Sequence, residues 1–408
     1  MEDEIEIPKY FICPISLQIM KDPVTTVTGM TYDRSSIERW LFHGSNTSCP
    51  VTKQPLSKNS DLTPNHTLRR LIQAWCTANA DNGVDRIPTP KTPPEKTHFI
   101  KLLQDIWVPQ LQLESLKKLQ ILATESERNR RRMGEAGVEK AMVWLVTECF
   151  KKDDLEVVEE ALNVLYLVQA PLESMKLLIV ENYDFIDAVT WVLQQESGRL
   201  NTAKIHAVLV LKPVIETSTS HFLGRLNVEF FQGLVKFLRD GISPKGTKAA
   251  LRIMLGACPW GRNRMKIIEA GAVFELIEFQ LATTDKRINE LVLCILDHLC
   301  ASADGRAQLL GHAAGLPLIS KRILRISPAA DDRAVRILSS ICKFSATNEV
   351  LGEMLAVGAV TKLCLLLQAG CSANVKEKAM GVLKLHSKAW KNSPCSASVY
   401  LLTRQLGI

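Results

Sequence analysis

The chain has 408 residues, 46% of them apolar, which is long enough for more than one domain and too apolar for a disordered or fibrous protein. Its 11 cysteines stand at no framework spacing, no run of 18 apolar residues occurs, and the start Met1-Glu2-Asp3-Glu4 is acidic, unlike a secretory or organellar leader. A disulfide scaffold and a membrane span are excluded; an intracellular, soluble protein is expected, cytoplasmic with a nuclear pool left open. The formal charge is +7, yet residues 1–80 carry 8 Lys plus Arg against 8 Asp plus Glu and residues 81–100 carry 3 against 3, so the surplus belongs to the remainder and favours an acidic partner only weakly.

Within the first 80 residues the cysteines are Cys13, Cys49 and Cys76 and the histidines His43 and His66, with no Cys-x-x-Cys or Cys-x-His pair. A tetrahedral zinc site needs four ligands at close spacing, so no metal is expected and the region must hold itself together by core and hydrogen bonds. Val24-Thr25-Thr26-Val27 is β-prone and predicts a hairpin turning near Gly29. Asp33 is placed to cap a helix. Ile37, Trp40 and Leu41 share one face of it, and Gly44 stops it. Asn65 caps a second helix with an apolar stripe at Leu68, Leu71, Ile72 and Trp75.

The run Tyr10-Phe11-Ile12-Cys13-Pro14-Ile15-Ser16-Leu17, with Asp22-Pro23-Val24, Gly29-Met30-Thr31-Tyr32-Asp33, Cys49-Pro50-Val51-Thr52 and Leu62-Thr63-Pro64-Asn65, resembles the U-box, the zinc-free relative of the RING domain. The resemblance implies docking of a ubiquitin-conjugating enzyme (E2) loaded with ubiquitin. It implies a first clamping loop near Ile12 to Met20 and a second near Cys49 to Lys53, with Ile15, Leu17, Trp40 and Pro50 as E2 contacts. Lys53 stands at the basic linchpin position that touches both E2 and ubiquitin, where Arg is frequent. No catalytic residue is assigned: Cys13 is read as a packing residue, and the reactive thiol belongs to the E2. A homo-oligomer through the U-box is also compatible.

Residues 81–97 are rich in proline and read as an exposed, semi-rigid linker. Beyond it a short helix, a small residue and a new apolar run recur, with markers at Gly137, Asn182, Asn227, Gly271, Gly315 and Gly358; successive differences are 45, 45, 44, 44 and 43. That period lies in the armadillo or HEAT range. Glycine and asparagine at the marker predict φ > 0 between two helices. Longer third helices are expected near 113–125, 155–169, 202–216, 246–256, 288–301, 332–345 and 375–389. Three helices per unit resembles armadillo (ARM) repeats. The predicted fold is mainly α: a small α+β, zinc-free, RING-like U-box at 6–80, the linker, and an α-solenoid of about six to seven repeats at 98–408.

The whole resembles the plant U-box/ARM E3 ubiquitin ligases, of the class associated with stress and immunity. The implied partners are an E2, ubiquitin, and a protein substrate in the ARM groove; a non-catalytic ARM adaptor and a chain-elongating factor are the alternatives. His206, Lys248 and Asn289 are candidate groove-lining residues on third helices. Thr63, Thr89 and Thr92 precede proline and match the minimal site of proline-directed kinases. Arg128, Arg130, Arg131 and Arg132 read first as a solvated inter-repeat loop, and second as a nuclear signal or acidic-partner patch. No aromatic interleaving supports nucleic-acid binding, and no phosphate loop, H-E-x-x-H or G-x-S-x-G motif is present.

Overall fold

The computed structural model describes residues 7–43, 46–56, 61–80, 84–85, 94–196 and 198–391, except the side chains of Phe42, His43, Arg199 and Lys391. Gly44, Thr89 and Thr92 therefore lie outside the described residues. The chain divides into two compact units, Met1–Gly137 and Val138–Ile408.

The first unit opens with the expected hairpin. Strand β1 (Pro23–Thr25) pairs antiparallel with β2 (Thr31–Asp33), with Val24 opposite Tyr32. The turn between them places Gly29 at φ +78°, which glycine adopts without steric cost. A third strand, β3 (Thr63–Pro64), was not expected; it pairs on the other side of β1, with Thr25 opposite Thr63. Helix α1 (Arg34–His43) follows β2, and α2 (His66–Ala78) follows β3. Asn65 caps α2 as expected: its Oδ1 accepts from the Leu68 N–H at 3.0 Å.

Ile37, Leu41, Ile72 and Cys76 from these helices meet Val24, Tyr32 and Met20 in one core, a burial that stabilises by about 1.5–3 kcal/mol per large apolar side chain. Leu71 departs from the expected stripe: it is exposed. Asp33 does not cap α1. Its carboxylate accepts from the backbone N–H groups of Lys21 and Asp22 at 2.8 and 2.9 Å and from the Ser35 hydroxyl. Asp22 in turn pairs with Arg34 at 2.6 Å and with Arg69 at 3.7 Å, tying the turn to both helices.

The same unit ends in α3 (Lys96–Asp105), α4 (Gln112–Glu125) and α5 (Glu127–Glu135). The arginine cluster lies on α5, not in a loop. Ser126 caps that helix. Arg130 pairs with Glu127, Arg131 with Glu135 at 3.3 Å, and Arg132 donates to the Pro94 carbonyl. Charges so engaged are poor material for a free basic patch.

The second unit is a ladder. Third helices Leu155–Val168, Asn201–Thr217, Pro244–Ala257, Lys286–Leu299, Pro328–Phe344 and Ala373–Leu385 pack each on the next. Second helices Val138–Lys151, Asp184–Gln194, Val228–Asp240, Ala272–Ala282, Gly315–Arg322 and Ala359–Gln368 form a parallel row. Shorter first helices, such as Gly261–Glu269, connect the rows. This is an ARM solenoid, in which stacking buries faces that no single repeat covers. Polar residues start the third helices: Asp154, Ser243, Asp285 and Ser327 each accept from a first-turn backbone N–H.

The marker residues divide into kinds. Gly137, Gly271 and Gly358 have φ of +81°, +79° and +71°, as predicted. Asn182 and Asn227 do not. Asn182 has φ −115° and donates from Nδ2 to the Leu178 carbonyl, closing its helix. Asn227 has φ −92° and caps the next helix by accepting from the Phe230 N–H. Asparagine stands there for its side-chain hydrogen bonds, not for a left-handed backbone. At Gly315 the requirement is space: a Cβ would lie 2.0 Å from the Leu309 carbonyl oxygen.

Candidate E2-docking site

Two loops of the first unit share one geometry. In Cys13-Pro14-Ile15-Ser16-Leu17-Gln18, the Cys13 N–H donates to the Gln18 carbonyl at 2.8 Å and the Leu17 N–H to the Cys13 carbonyl at 2.9 Å. In Cys49-Pro50-Val51-Thr52-Lys53-Gln54, the Cys49 N–H donates to the Gln54 carbonyl at 2.8 Å and the Lys53 N–H to the Cys49 carbonyl at 3.0 Å. Leu17 and Lys53 occupy equivalent places and both are left-handed, at φ +56° and +59°. A non-glycine residue there is strained by about 1–2 kcal/mol.

Neighbouring residues of β2 hold the two loops. The Asp33 N–H donates to Cys13 Sγ at 3.3 Å, and the Tyr32 hydroxyl lies 2.9 Å from Cys49 Sγ. Cys49 Sγ also accepts from the Thr28 hydroxyl and the Thr52 N–H, at 3.4 and 3.5 Å. Both cysteines are fully buried. Reading Cys13 as packing alone missed this acceptor role. The signal was available, since a cysteine opens each of two otherwise matching Cys-Pro runs.

Burial pushes the Cys49 thiol up, but the hydrogen bonds from Thr28, Thr52 and Tyr32 outweigh it and bring it down to about 6. Burial, and then Cys49, push the Tyr32 phenol up. A free thiol titrates near about 8.5. Cys49 therefore stabilises the folded state fully above that unfolded value and loses the contribution as pH falls through about 6. The loss of stability on Cys49→Ala is expected to be larger near pH 8.5 than near pH 6; thermal melting of both proteins across that range measures it. An equal loss at both ends would show that the thiol is protonated throughout.

Among the described residues, no group of three or more His, Cys, Asp or Glu side chains is placed to share a metal ion. The hydrogen bonds on the two sulfurs fix the loops instead. A zinc chelator is expected to leave the melting temperature unchanged. Stoichiometric zinc release with a fall in melting temperature would overturn this account.

The predicted contact residues fall around these loops. Leu17 is 77% exposed, and Lys53 and Val51 are exposed in the matching loop. Ile15 and Pro50 are half-buried. Trp40 is also half-buried, packs against the core, and donates from Nε1 to the Ser48 carbonyl at 2.9 Å. That bond fastens α1 to the base of the second loop. Val51 was not anticipated. Thr63 is exposed on β3.

On the solenoid the three candidate groove-lining residues stand in different environments. Asn289 is 1% exposed and donates to the Thr283 carbonyl; it belongs to a joint between helices and lines no surface. His206 is half-buried, stacked on the Tyr166 ring at 4.5 Å and 13°. Burial, and then Lys245, hold its imidazole below the ordinary range, so it is neutral near pH 7. Lys248 is exposed, but Lys245, one turn earlier, reaches the Tyr166 hydroxyl at 2.7 Å.

Residues 7–81 match the U-box domain, and residues 100–406 match the plant U-box protein ARM repeat region. The chain belongs to the plant U-box/ARM family and is a U-box E3 ubiquitin transferase. Among its relatives, E3 ubiquitin-protein ligase PUB24 of Arabidopsis thaliana is 43% identical over 100% of this chain and 98% of its own. PUB23 of the same plant is 45% identical over 97% and 96%. The fold is also found in an engineered protein, 19% identical over 82% of this chain and 76% of that one, TM-score 0.54. A chain from a structure concerned with the interaction between cadherin and beta-catenin gives TM-score 0.59 at 13% identity, covering 83% and 61%. Membership of the family implies an E2 and ubiquitin as partners. Among the described residues, no single helix is long and apolar enough to cross a membrane.

Proposed function

We propose that the matched loops and α1 dock an E2~ubiquitin conjugate while the solenoid's third-helix face holds the protein to be modified. The observation that carries the docking reading is the pairing of equivalent strained positions, Leu17 and Lys53, on two loops anchored by adjacent residues of one strand. Such a platform offers an apolar contact on one loop and a point charge on the other. Ile15, Pro50 and Trp40 supply the apolar ground around it. Lys53 acts as the linchpin donor.

In this mechanism the E3 forms no covalent intermediate. A substrate lysine attacks the E2 thioester, and the E3 contributes proximity and a restricted conjugate orientation. The test is purified full-length protein with E1, a panel of E2 enzymes, ubiquitin and ATP. Self-ubiquitination with at least one E2 is expected. No product with any E2, from a folded protein, would remove the docking reading.

A role in plant defence and stress signalling is part of this proposal and rests on resemblance alone. A loss-of-function line with unaltered defence and stress responses would remove it. Phosphate on exposed Thr63 would place about −1.5 to −2 charges beside the start of α2. Self-association through the U-box is the property it would alter. Identical mass by light scattering before and after phosphorylation would exclude that effect.

A further inference from the structure

The C-terminal third helices enclose a recess of about 420 Å³ between Lys286–Leu299, Pro328–Phe344 and Ala373–Leu385. That is room for one or two large side chains, not for a folded domain. Its floor carries a buried carboxylate, Asp297, which two arginines hold at 2.9 Å, Arg333 from Nη1 and Arg336 from Nε. Lys378 pairs with Asp332 at 3.4 Å on the far wall.

At the mouth stands Phe344, 62% exposed. Two cations flank its ring, Arg306 Cζ and Lys343 Nζ, each 5.1 Å from the centroid. Arg306 is itself pinned, donating to the Cys300 carbonyl at 3.0 Å and to the Ser345 hydroxyl at 2.9 Å. His298 adds no charge, because burial holds its imidazole below the ordinary range.

Three cations line the recess, Arg336, Lys343 and Lys378, against the one lining carboxylate, Asp297, which is already paired. Its outward field is positive. The Phe344 ring is exposed beside this recess, and the flanking cations leave its face accessible. One ring and one small recess suit a single apolar side chain with acidic neighbours. A nucleic-acid strand would want a series of stacking faces.

We infer that this end of the third-helix face captures an acidic peptide segment bearing an apolar side chain, the apolar group seating against Phe344. This deepens the reading above that the third-helix face holds the substrate, and it rests on that reading.

The test uses the full chain and a fluorescein-labelled synthetic peptide of Asp and Glu with one central Leu. Partners to it are the same peptide with Gly for Leu, a Lys counterpart, and an oligothymidylate. Fluorescence anisotropy should show binding of the acidic Leu peptide above the other three. Lys343→Glu should weaken it by about tenfold or more, since a charge is reversed, while Lys343→Arg should preserve it. Phe344→Ala should bring the Leu peptide down to the level of the Gly peptide.

Both substituted residues are exposed, so unchanged melting temperatures are expected and make the comparison valid. Unaltered binding by Lys343→Glu, or equal binding of the oligonucleotide, would overturn the inference. Lys245→Glu, on the Tyr166 stack, separates the two levels. Loss there but not at Lys343 means that the face takes acidic segments elsewhere. Loss at neither means that the face is not the acceptor. Self-ubiquitination of Lys343→Glu stays at the parent rate in every case that leaves the U-box reading intact.

Discussion

Ile15→Ala and Trp40→Ala are each expected to stop self-ubiquitination, and Leu17→Gly to reduce it steeply while leaving the fold as stable as before. A lost central contact costs about 2 kcal/mol or more, roughly 30-fold in E2 affinity. For Trp40 that figure is entangled with stability. Its Nε1 bond to Ser48 is worth about 1 kcal/mol, and its half-buried ring packs on the core. An inactive Trp40→Ala protein could simply have lost the second loop.

Leu17 removes the ambiguity because the two effects have opposite signs. The side chain is 77% exposed, so little packing is lost, and its φ of +56° is a conformation glycine adopts freely. Relief of about 1–2 kcal/mol of strain offsets the about 0.4–1 kcal/mol that glycine's unfolded-state entropy costs. A melting temperature that is unchanged or higher, with a self-ubiquitination rate at least about tenfold lower, identifies Leu17 as a contact. A fully active Leu17→Gly protein would falsify its place in the docking surface, and a folded, fully active Trp40→Ala protein the assignment of Trp40.

The parts of this architecture that were legible beforehand were those encoded locally. The hairpin turn at Gly29, the cap at Asn65 and the third helices each follow from a few neighbouring residues. The 43–45-residue spacing of the markers is a repeat readable without any contact map. Strand β3 was not legible. It is two residues long and ends in proline, which ordinarily argues against a strand; the edge position beside β1 is what tolerates it.

Asn289 failed for a related reason. A polar residue on a third helix was taken to face the groove, but solenoid joints also bury polar side chains to satisfy helix-end carbonyls. Asn263 does so for Leu223 at 2.8 Å, and Ser320 for Val357 at 3.0 Å. The recess at Phe344 had a usable signal that went unread. Arg336, Ser339, Ser340 and Lys343 fall at helical spacing, a polar stripe on a helix whose other faces are buried. The platform residues other than Val51 were legible only through family resemblance. Nothing in spacing alone says that Leu17 is exposed or that Cys49 accepts three hydrogen bonds.

The glycine markers make a sharper test of the solenoid. Gly315→Ala and Gly358→Ala add the same methyl group at the start of two second helices, at the first helical residue and at the N-cap respectively, and their expected costs differ in size and in cause. At Gly358 nothing lies within 4 Å of the added carbon, and only the φ of +71° is disfavoured. The expected loss is about 1 kcal/mol. At Gly315 the backbone is ordinary, but the methyl would lie 2.0 Å from the Leu309 carbonyl oxygen and 3.0 Å from its carbonyl carbon. No rotamer change relieves a contact with backbone. Helix Gly315–Arg322 must therefore move away from Ala303–Gly311, loosening Leu316, Leu318 and Ile319 in the core. The expected loss is about 3 kcal/mol, the upper end for overpacking, because the rigid partner leaves no cheaper adjustment. Urea unfolding of the second unit measures both. Hydrogen exchange should localise the Gly315→Ala damage to helices Ala303–Gly311 through Pro328–Phe344, with the loops at 13–18 and 49–54 unaffected. Equal costs at the two positions would mean that Gly315 stands there for backbone conformation after all, and the close approach between these helices would have to be redrawn.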